Sequence, residues 1–85
     1  MGKHILFEIG KHDVIRFGEL KRALPFITNT MLTATLRELE AESLINRQQF
    51  NEIPPHVEYS LTEKSKDLMP IFYQVHIWGT KHLDP

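Results

Sequence analysis

Apolar residues recur at helical spacing in four separate stretches of the chain. Residues three or four apart lie on one face of a helix, so each stretch predicts a helix with one buried side. The predicted helices cover residues 3–11, 18–24, 29–42 and 63–82. Their apolar positions are Ile5, Leu6 and Ile9, then Leu20 and Leu24, then Leu32, Leu36 and Leu39, and finally Leu68, Ile71, Val75 and Trp78.

N-cap residues and a proline support the predicted ends of these helices. Thr28 and Thr62 precede the third and fourth helices as natural N-caps, and Pro25 follows the second. Pro70 lies inside the fourth pattern, where it has no backbone N–H for the preceding turn. We therefore predict either a bend between Lys66 and Pro70 or two abutting helices.

Alternation of apolar and polar residues predicts strands elsewhere. The short β-branched stretch "VIRF" (14–17) suggests a brief strand, and "SLINRQQFN" (43–51) and "HVEYSL" (56–61) suggest a hairpin. Pro54 and Pro55 stand between these two strands and interrupt their pairing. They predict a stiff, exposed tip that is suited to holding a partner and resists edge pairing, although a simple turn without a ligand explains them equally well.

The order helix, short strand, helix, helix, hairpin, helix is typical of a winged helix-turn-helix. We predict an α+β fold, mostly helical, as a single domain over residues 1–85 with a C-terminal dimerisation helix. In such domains the third helix enters the major groove of DNA and the hairpin, or wing, contacts the neighbouring backbone.

Composition and charge narrow the function classes. The absence of cysteine excludes disulfides, thiolate catalysis and cysteine-bound metals in these 85 residues. There is no signal-peptide pattern and no run of 18 apolar residues, so we predict a cytoplasmic protein without a membrane contact. The net charge is −1, but residues 14–50 are slightly basic and residues 51–85 are acidic.

Motifs for catalysis and metal binding are missing from the sequence. It contains no GxGxxG, P-loop or HExxH motif, and its five histidines are not paired at i, i+4 and have no acid at a ligand spacing. Glu38, Glu40 and Glu42 are interpreted as a solvated helix surface. We predict neither an enzyme nor a metal site, and we assign no cofactor.

Several segments in order resemble one protein family. "RFGELKRAL", "MLTATLRELEAESLI", "PPHVEYSLTEKS" and "LMPI" with a late "WG" are similar to the HxlR-type winged helix-turn-helix regulators of bacterial transcription, relatives of the MarR group. The resemblance covers about residues 3–82. It implies a homodimer that binds a pseudo-palindromic operator in double-stranded DNA, with the terminal helices in the dimer contact.

The chain also departs from the family pattern. Members usually carry a further N-terminal segment with a cysteine that senses oxidants or electrophiles, and a tryptophan where this chain has His4. Without a cysteine, thiol-based sensing does not carry over to this chain, and we expect part of the usual dimer contact to be missing. No effector is assigned.

Candidate DNA-binding residues fall into two groups. On the third helix, short polar side chains opposite the leucines allow the backbone to approach base edges, and Arg37 can pair with guanine or phosphate. Four threonines between 28 and 35 are poor helix formers, which favours this role over that of merely solvated positions. The other group supplies phosphate contacts or ordinary surface charges. The candidates are Thr28, Asn29, Thr30, Thr33 and Arg37, and then Arg16, Lys21, Arg22, Arg47 and Asn51.

The fourth helix is more apolar than a monomer of this size can easily cover. A dimer seam is the favoured explanation, and the alternative is that the helix folds back on its own core. The predicted seam residues are Met69, Phe72, Tyr73, Val75, His76 and Trp78. The near-neutral charge also leaves open a second function, a winged helix that binds protein and not DNA.

Overall fold

The computed structural model describes residues 2–83 and contains every predicted element. Four helices and three short strands follow one another in the expected order, and the fold is mostly helical, as predicted. The bounds agree with the sequence interpretation to within two residues. In chain order the elements are α1 (Gly2–Gly10), β1 (Ile15–Arg16), α2 (Phe17–Ala23), α3 (Asn29–Ala41), β2 (Ile45–Phe50), β3 (His56–Leu61) and α4 (Glu63–His82).

The three strands form one antiparallel sheet in the order β1-β3-β2. β3 is central, and Tyr59 pairs with Ile15 on one side and with Arg47 on the other. Ile15, Tyr59 and Ile45 are buried, so the apolar side of the sheet closes the core that the helices build. The strand β1 therefore ties the start of the chain to the hairpin.

The core consists almost entirely of leucine and isoleucine, and most of these residues come from the apolar stripes of the first three predicted helices. Ile5, Ile9, Leu20 and Leu32 are its most completely buried large side chains. Because burial of each such side chain contributes about 1.5–3 kcal/mol, these positions fix how α1, α2 and α3 pack.

Helix α3 is held at both ends by local contacts. At its N-terminus the Thr28 hydroxyl accepts a hydrogen bond from the Met31 backbone N–H at 3.1 Å. Ile27, just before the cap, and Leu32 in the first turn are both buried, the arrangement that fixes the angle at which a chain enters a helix. At the C-terminus the Leu44 N–H donates to the Leu39 carbonyl at 2.9 Å, which closes the helix.

Ser43 occupies the left-handed position that closes α3. Its φ is 60°, and its N–H donates to the Glu40 carbonyl at 3.0 Å. Glycine is the usual residue here, because a Cβ strains this conformation. We expect Ser43→Gly to raise the free energy of unfolding by about 0.5–1 kcal/mol, measured by chemical denaturation. Ser43→Ala, which removes the hydroxyl and keeps the Cβ, should bring no gain; an equal gain in both variants would contradict this explanation.

A set of hydrogen bonds joins the start of α4 to the end of α3. The Thr62 hydroxyl donates to the Ser43 carbonyl at 2.9 Å, and the buried Ser65 hydroxyl donates to the Leu44 carbonyl. The Lys64 ammonium donates to the Glu42 carbonyl at 3.0 Å. These contacts fix where α4 leaves the body of the domain relative to α3.

Helix α4 runs without interruption past Pro70, so the expectation of two abutting helices is wrong. Its N-terminal half packs on the body of the domain. Met69 and Phe72 are partly buried against the core, and the Phe72 ring lies 6.1 Å from that of Phe7 on α1. These contacts compensate for the backbone hydrogen bond that the proline cannot donate.

The C-terminal half of α4 projects away from the body. Every residue from Tyr73 to Leu83 is exposed except Gly79, which is half-buried. The radius of gyration is 14.0 Å, larger than the value of about 12 Å expected for a compact domain of this length. Within residues 2–83, none of the helices has the length and apolar character needed to cross a membrane.

Candidate nucleic-acid interface

The outward side of α3 is open to solvent along its length. Thr30, Ala34 and Arg37 are exposed and follow one another at four- and three-residue intervals, opposite the buried leucines, and Glu38 is exposed beside Arg37. Thr28 and Asn29 are exposed at the N-terminus of the helix. Within the described residues no other element covers this side. The short side chains near its beginning leave the backbone accessible to a groove.

Of the four threonines between residues 28 and 35, two are not fully exposed on the outward side of α3. Thr35 is buried, and its hydroxyl donates to the Met31 carbonyl at 2.9 Å, so it belongs to the packed side. Thr33 is half-buried at the edge of the face. The threonine cluster was therefore a partly misleading signal: residues three or four apart share a face, but Thr35 follows Thr33 by only two.

A cleft of about 400 Å³ separates α3 from the hairpin. Arg37 from α3 and Arg47 from β2 both line it, together with Thr33. Within residues 2–83 neither arginine forms an ion pair with a carboxylate. Glu40 shares the cleft and supplies the one opposing charge in its lining. The fold thus brings Arg47 of the hairpin beside Thr33 and Arg37 of α3, and it adds Glu40, which the sequence analysis had interpreted only as solvated helix surface.

Polar side chains extend from this cleft along β2 toward the tip of the hairpin. The Arg47 guanidinium donates to the Gln49 side-chain oxygen at 3.3 Å, and the Gln49 amide donates to Asn51 Oδ1 at 3.5 Å. Residues two apart share a face of a strand, so the three side chains lie in line. Ile53 at the tip is fully exposed. Gln49 was missing from the sequence prediction, although its two-residue spacing from Arg47 was a usable signal.

The remaining basic candidates lie apart from the cleft lining. The Arg16 Nε on β1 is 3.9 Å from a carboxylate oxygen of Glu58, which partly offsets its charge. The Lys21 ammonium donates to the Pro25 carbonyl at 3.4 Å in the turn that leads to α3. Arg22 is exposed on α2. All three charges are accessible to a ligand.

Histidines and acids approach each other more closely than the sequence suggested. His12 Nε2 lies 3.7 Å from Glu8, and His56 lies 3.9 Å from Glu52 and 3.3 Å from Glu58. The prediction that no acid stands at ligand spacing from a histidine was therefore wrong, because two of these pairs are i, i+4 neighbours. In the part of the chain that the structure describes, no three such side chains converge to hold a metal ion.

Exposed residues in the middle and C-terminal part of α4 line an apolar groove of about 450 Å³. Its lining consists of Pro70, Ile71, Gln74, Val75 and Trp78. Ile71 thus lies outside the core, although the apolar spacing had assigned it to the stripe that includes Leu68.

The predicted seam residues separate into two sets. Met69 and Phe72 pack partly against the domain's own core, as the folding-back alternative proposed. Tyr73, Val75 and Trp78 are exposed, and so is His76. Ile77 is a further exposed apolar residue on the same half of α4.

Comparison of the sequence with known proteins finds a matching family and several related proteins. A family model described as HxlR-like helix-turn-helix matches residues 2–85. The chain is 45% identical over 75 residues to YdzF of Bacillus subtilis (strain 168), an uncharacterized helix-turn-helix-type transcriptional regulator, and the match covers 88% of this chain and 69% of YdzF. Across the curated relatives that it matches, the chain spans from about half to three quarters of their length.

Solved structures share the fold. A transcriptional regulator of the MarR family from Porphyromonas gingivalis W83 superimposes with a TM-score of 0.86 at 40% identity, covering 95% of this chain and 78% of that one. The reduced form of the transcriptional regulator YodB from B. subtilis superimposes with a TM-score of 0.88 at 31% identity, covering 99% and 81%. The winged helix-turn-helix architecture is therefore common to these proteins and to this chain.

Proposed function

We propose that this chain, which belongs to the HxlR-like helix-turn-helix family, acts in the cytoplasm as a homodimeric transcriptional regulator on a pseudo-palindromic operator in double-stranded DNA. The observation that carries the proposal is the open outward side of α3. A helix whose polar side is free of its own chain, with a hairpin beside it, has the shape needed to enter a major groove. No effector or cofactor is part of the proposal.

The contacts to DNA divide between α3 and its surroundings. The N-terminus of α3 carries no acid in its first turn, so the positive end of the helix dipole attracts the phosphate backbone. Arg37 and Arg47 reach into the space between helix and wing, Arg37 for a base or a phosphate and Arg47 for the neighbouring backbone. Lys21 and Arg22 precede the turn into α3 and supply phosphate contacts that set the register of the helix.

Dimerisation through α4 would explain its exposed apolar half. The groove that includes Val75 and Trp78 is apolar along almost its whole lining, and such a patch usually marks an interface. A two-fold seam uses the same residues of both copies and presents two α3 helices in opposite directions. The hydrogen bonds between the start of α4 and the end of α3 then set the separation of the helices, which for adjacent half-sites is about 34–36 Å.

A winged helix that binds another protein is the alternative. The net charge of −1 favours this alternative, because a protein with an acidic excess gains no overall attraction to a polyanion. The distribution of charge favours DNA. Residues 14–50, which include α3, hold five Lys and Arg against four acids, whereas residues 51–85 hold three Lys against five acids.

Salt titration distinguishes the two functions. We expect the affinity for a duplex to fall about 100-fold between about 50 and about 200 mM salt if the dimer neutralises about four phosphates, because each contact releases bound counterions. Fluorescence anisotropy with labelled duplexes selected from a random-sequence pool measures this slope. Binding that is indifferent to salt, or a failure to enrich any duplex, would favour the protein-interaction alternative.

A further inference from the structure

The N-terminal half of α3 and the turn before it contain no charged residue. From Ala23 to Leu36 the chain has neither Lys, Arg, Asp nor Glu, although charged residues flank this segment on both sides. The charges of α3 itself begin at Arg37 and include Glu38 and Glu40. Because these acids repel phosphates, the uncharged N-terminal half is the part of α3 that fits deepest into a groove.

Two large apolar side chains lie exposed at this end of the helix. Phe26 is 68% exposed in the turn between α2 and α3, and Met31 is 48% exposed in the first turn of α3. Ile27 is anchored in the core beside Leu32, which leaves its neighbour Phe26 outside. Neither exposed residue contributes to the buried core, so the packing of the domain gives no reason for apolar side chains at these positions.

The four bases present different chemical groups in the major groove, and only some of these groups suit an apolar side chain. Guanine is read mainly by arginine or lysine, and Arg37 is the one basic residue on α3. Thymine is the one standard DNA base with a methyl group in the major groove, and phenylalanine and the methyl groups of alanine and threonine contact it favourably. Asn29, at the first position of the helix, is suited to the adenine of an A·T pair.

We infer that Phe26 and Met31 are specificity-determining residues that contact thymine methyl groups, so that the N-terminal half of α3 selects T·A base pairs. Thr30 and Ala34, whose side chains carry or are methyl groups, are also exposed on the outward side of α3. This inference rests on the proposed function, because it requires α3 to occupy the major groove. It adds the chemical class of base pair that the helix selects.

Replacement of thymine by deoxyuridine tests the inference directly. The two bases present the same hydrogen-bonding edge and differ only in the methyl group. A duplex selected from a random-sequence pool is resynthesised with deoxyuridine at one position at a time, and the affinity of the unmodified protein is measured for each. We expect about fourfold weaker binding for each methyl group that Phe26 or Met31 covers.

Variants of Phe26 and Met31 test which of these residues contacts a given thymine methyl group. Phe26→Ala and Met31→Ala should each weaken binding to the thymine duplex and remove the penalty for deoxyuridine at one position of each half-site, as a double-mutant cycle measures. Val14→Ala is the matched control, because Val14 is an exposed apolar residue outside α3. This control should retain the full penalty. Circular dichroism should show each variant folded, since the replaced side chains are exposed.

The outcomes separate this inference from the proposed function. Salt-dependent binding that is equal for thymine and deoxyuridine duplexes overturns the inference and leaves the function intact. The same holds if Phe26→Ala and Met31→Ala weaken both duplexes equally, or if the selected sequences contain no recurrent T·A pair. Failure to bind any duplex overturns both.

Discussion

Trp78→Glu should convert the protein from a dimer to a monomer without unfolding it. Trp78 lies on the projecting half of α4 and is 55% exposed in the single chain, so folding does not depend on its burial. In a two-fold seam the substitution acts on both copies, and each places a charge where an indole would be buried. The combined cost of about 3–6 kcal/mol weakens association more than 100-fold, as sedimentation equilibrium would measure.

Val14→Glu is the matched control for this result. Val14 is 52% exposed, close to the 55% of Trp78, but it stands just before β1 and is not part of α4. The substitution introduces the same charge at a similarly exposed apolar position and should leave the dimer unchanged. A dimer of undiminished affinity in Trp78→Glu, or equal dissociation of both variants, would show that the seam lies elsewhere.

Local signals were sufficient to predict the elements of this fold. Leucines at four-residue spacing, such as Leu32 and Leu36, occupy the core because a helix places them on one face. The caps were also predictable, since Thr28 and Thr62 accept hydrogen bonds from backbone groups only three residues away. Such interactions depend on short stretches of chain, and the sequence displays them directly.

The surfaces were less predictable, because they depend on which elements meet in space. The apolar spacing of α4 does not distinguish residues that pack on α1, such as Met69 and Phe72, from residues that project, such as Ile71. Phe26 attracted no attention as an apolar residue beside a proline, and its exposure emerges only once Ile27 is placed in the core. The burial of Ile27 leaves Phe26 on the surface, where it is available to a ligand.

The candidate DNA-binding site was likewise predictable residue by residue but not as an assembled surface. Arg37 and Arg47 are ten residues apart and were assigned separately to a helix and a hairpin. They line one cleft because β2 pairs with β3 in a register that places Arg47 opposite Tyr59, and Tyr59 lines the same cleft. Register depends on both strands and on the turn that joins them, whereas the alternation within one strand indicates only which residues share a face.

Arg37→Ala should weaken binding to a selected duplex by about 5- to 150-fold for each half-site, which corresponds to about 1–3 kcal/mol. Arg37 is exposed and forms no ion pair within residues 2–83, so the thermal stability should change little. Lys66→Ala is the matched control. It removes one positive charge from an exposed helix position near the start of α4 and should leave the affinity within about twofold.

The pattern of the loss identifies what Arg37 contacts. A base contact makes the loss depend on one G·C pair of the half-site, so that Arg37→Ala no longer distinguishes that pair from its substitutes. A phosphate contact makes the loss uniform across sequences and lowers the salt slope by about one for each contact. Unchanged affinity in Arg37→Ala would remove Arg37 from the proposed DNA interface.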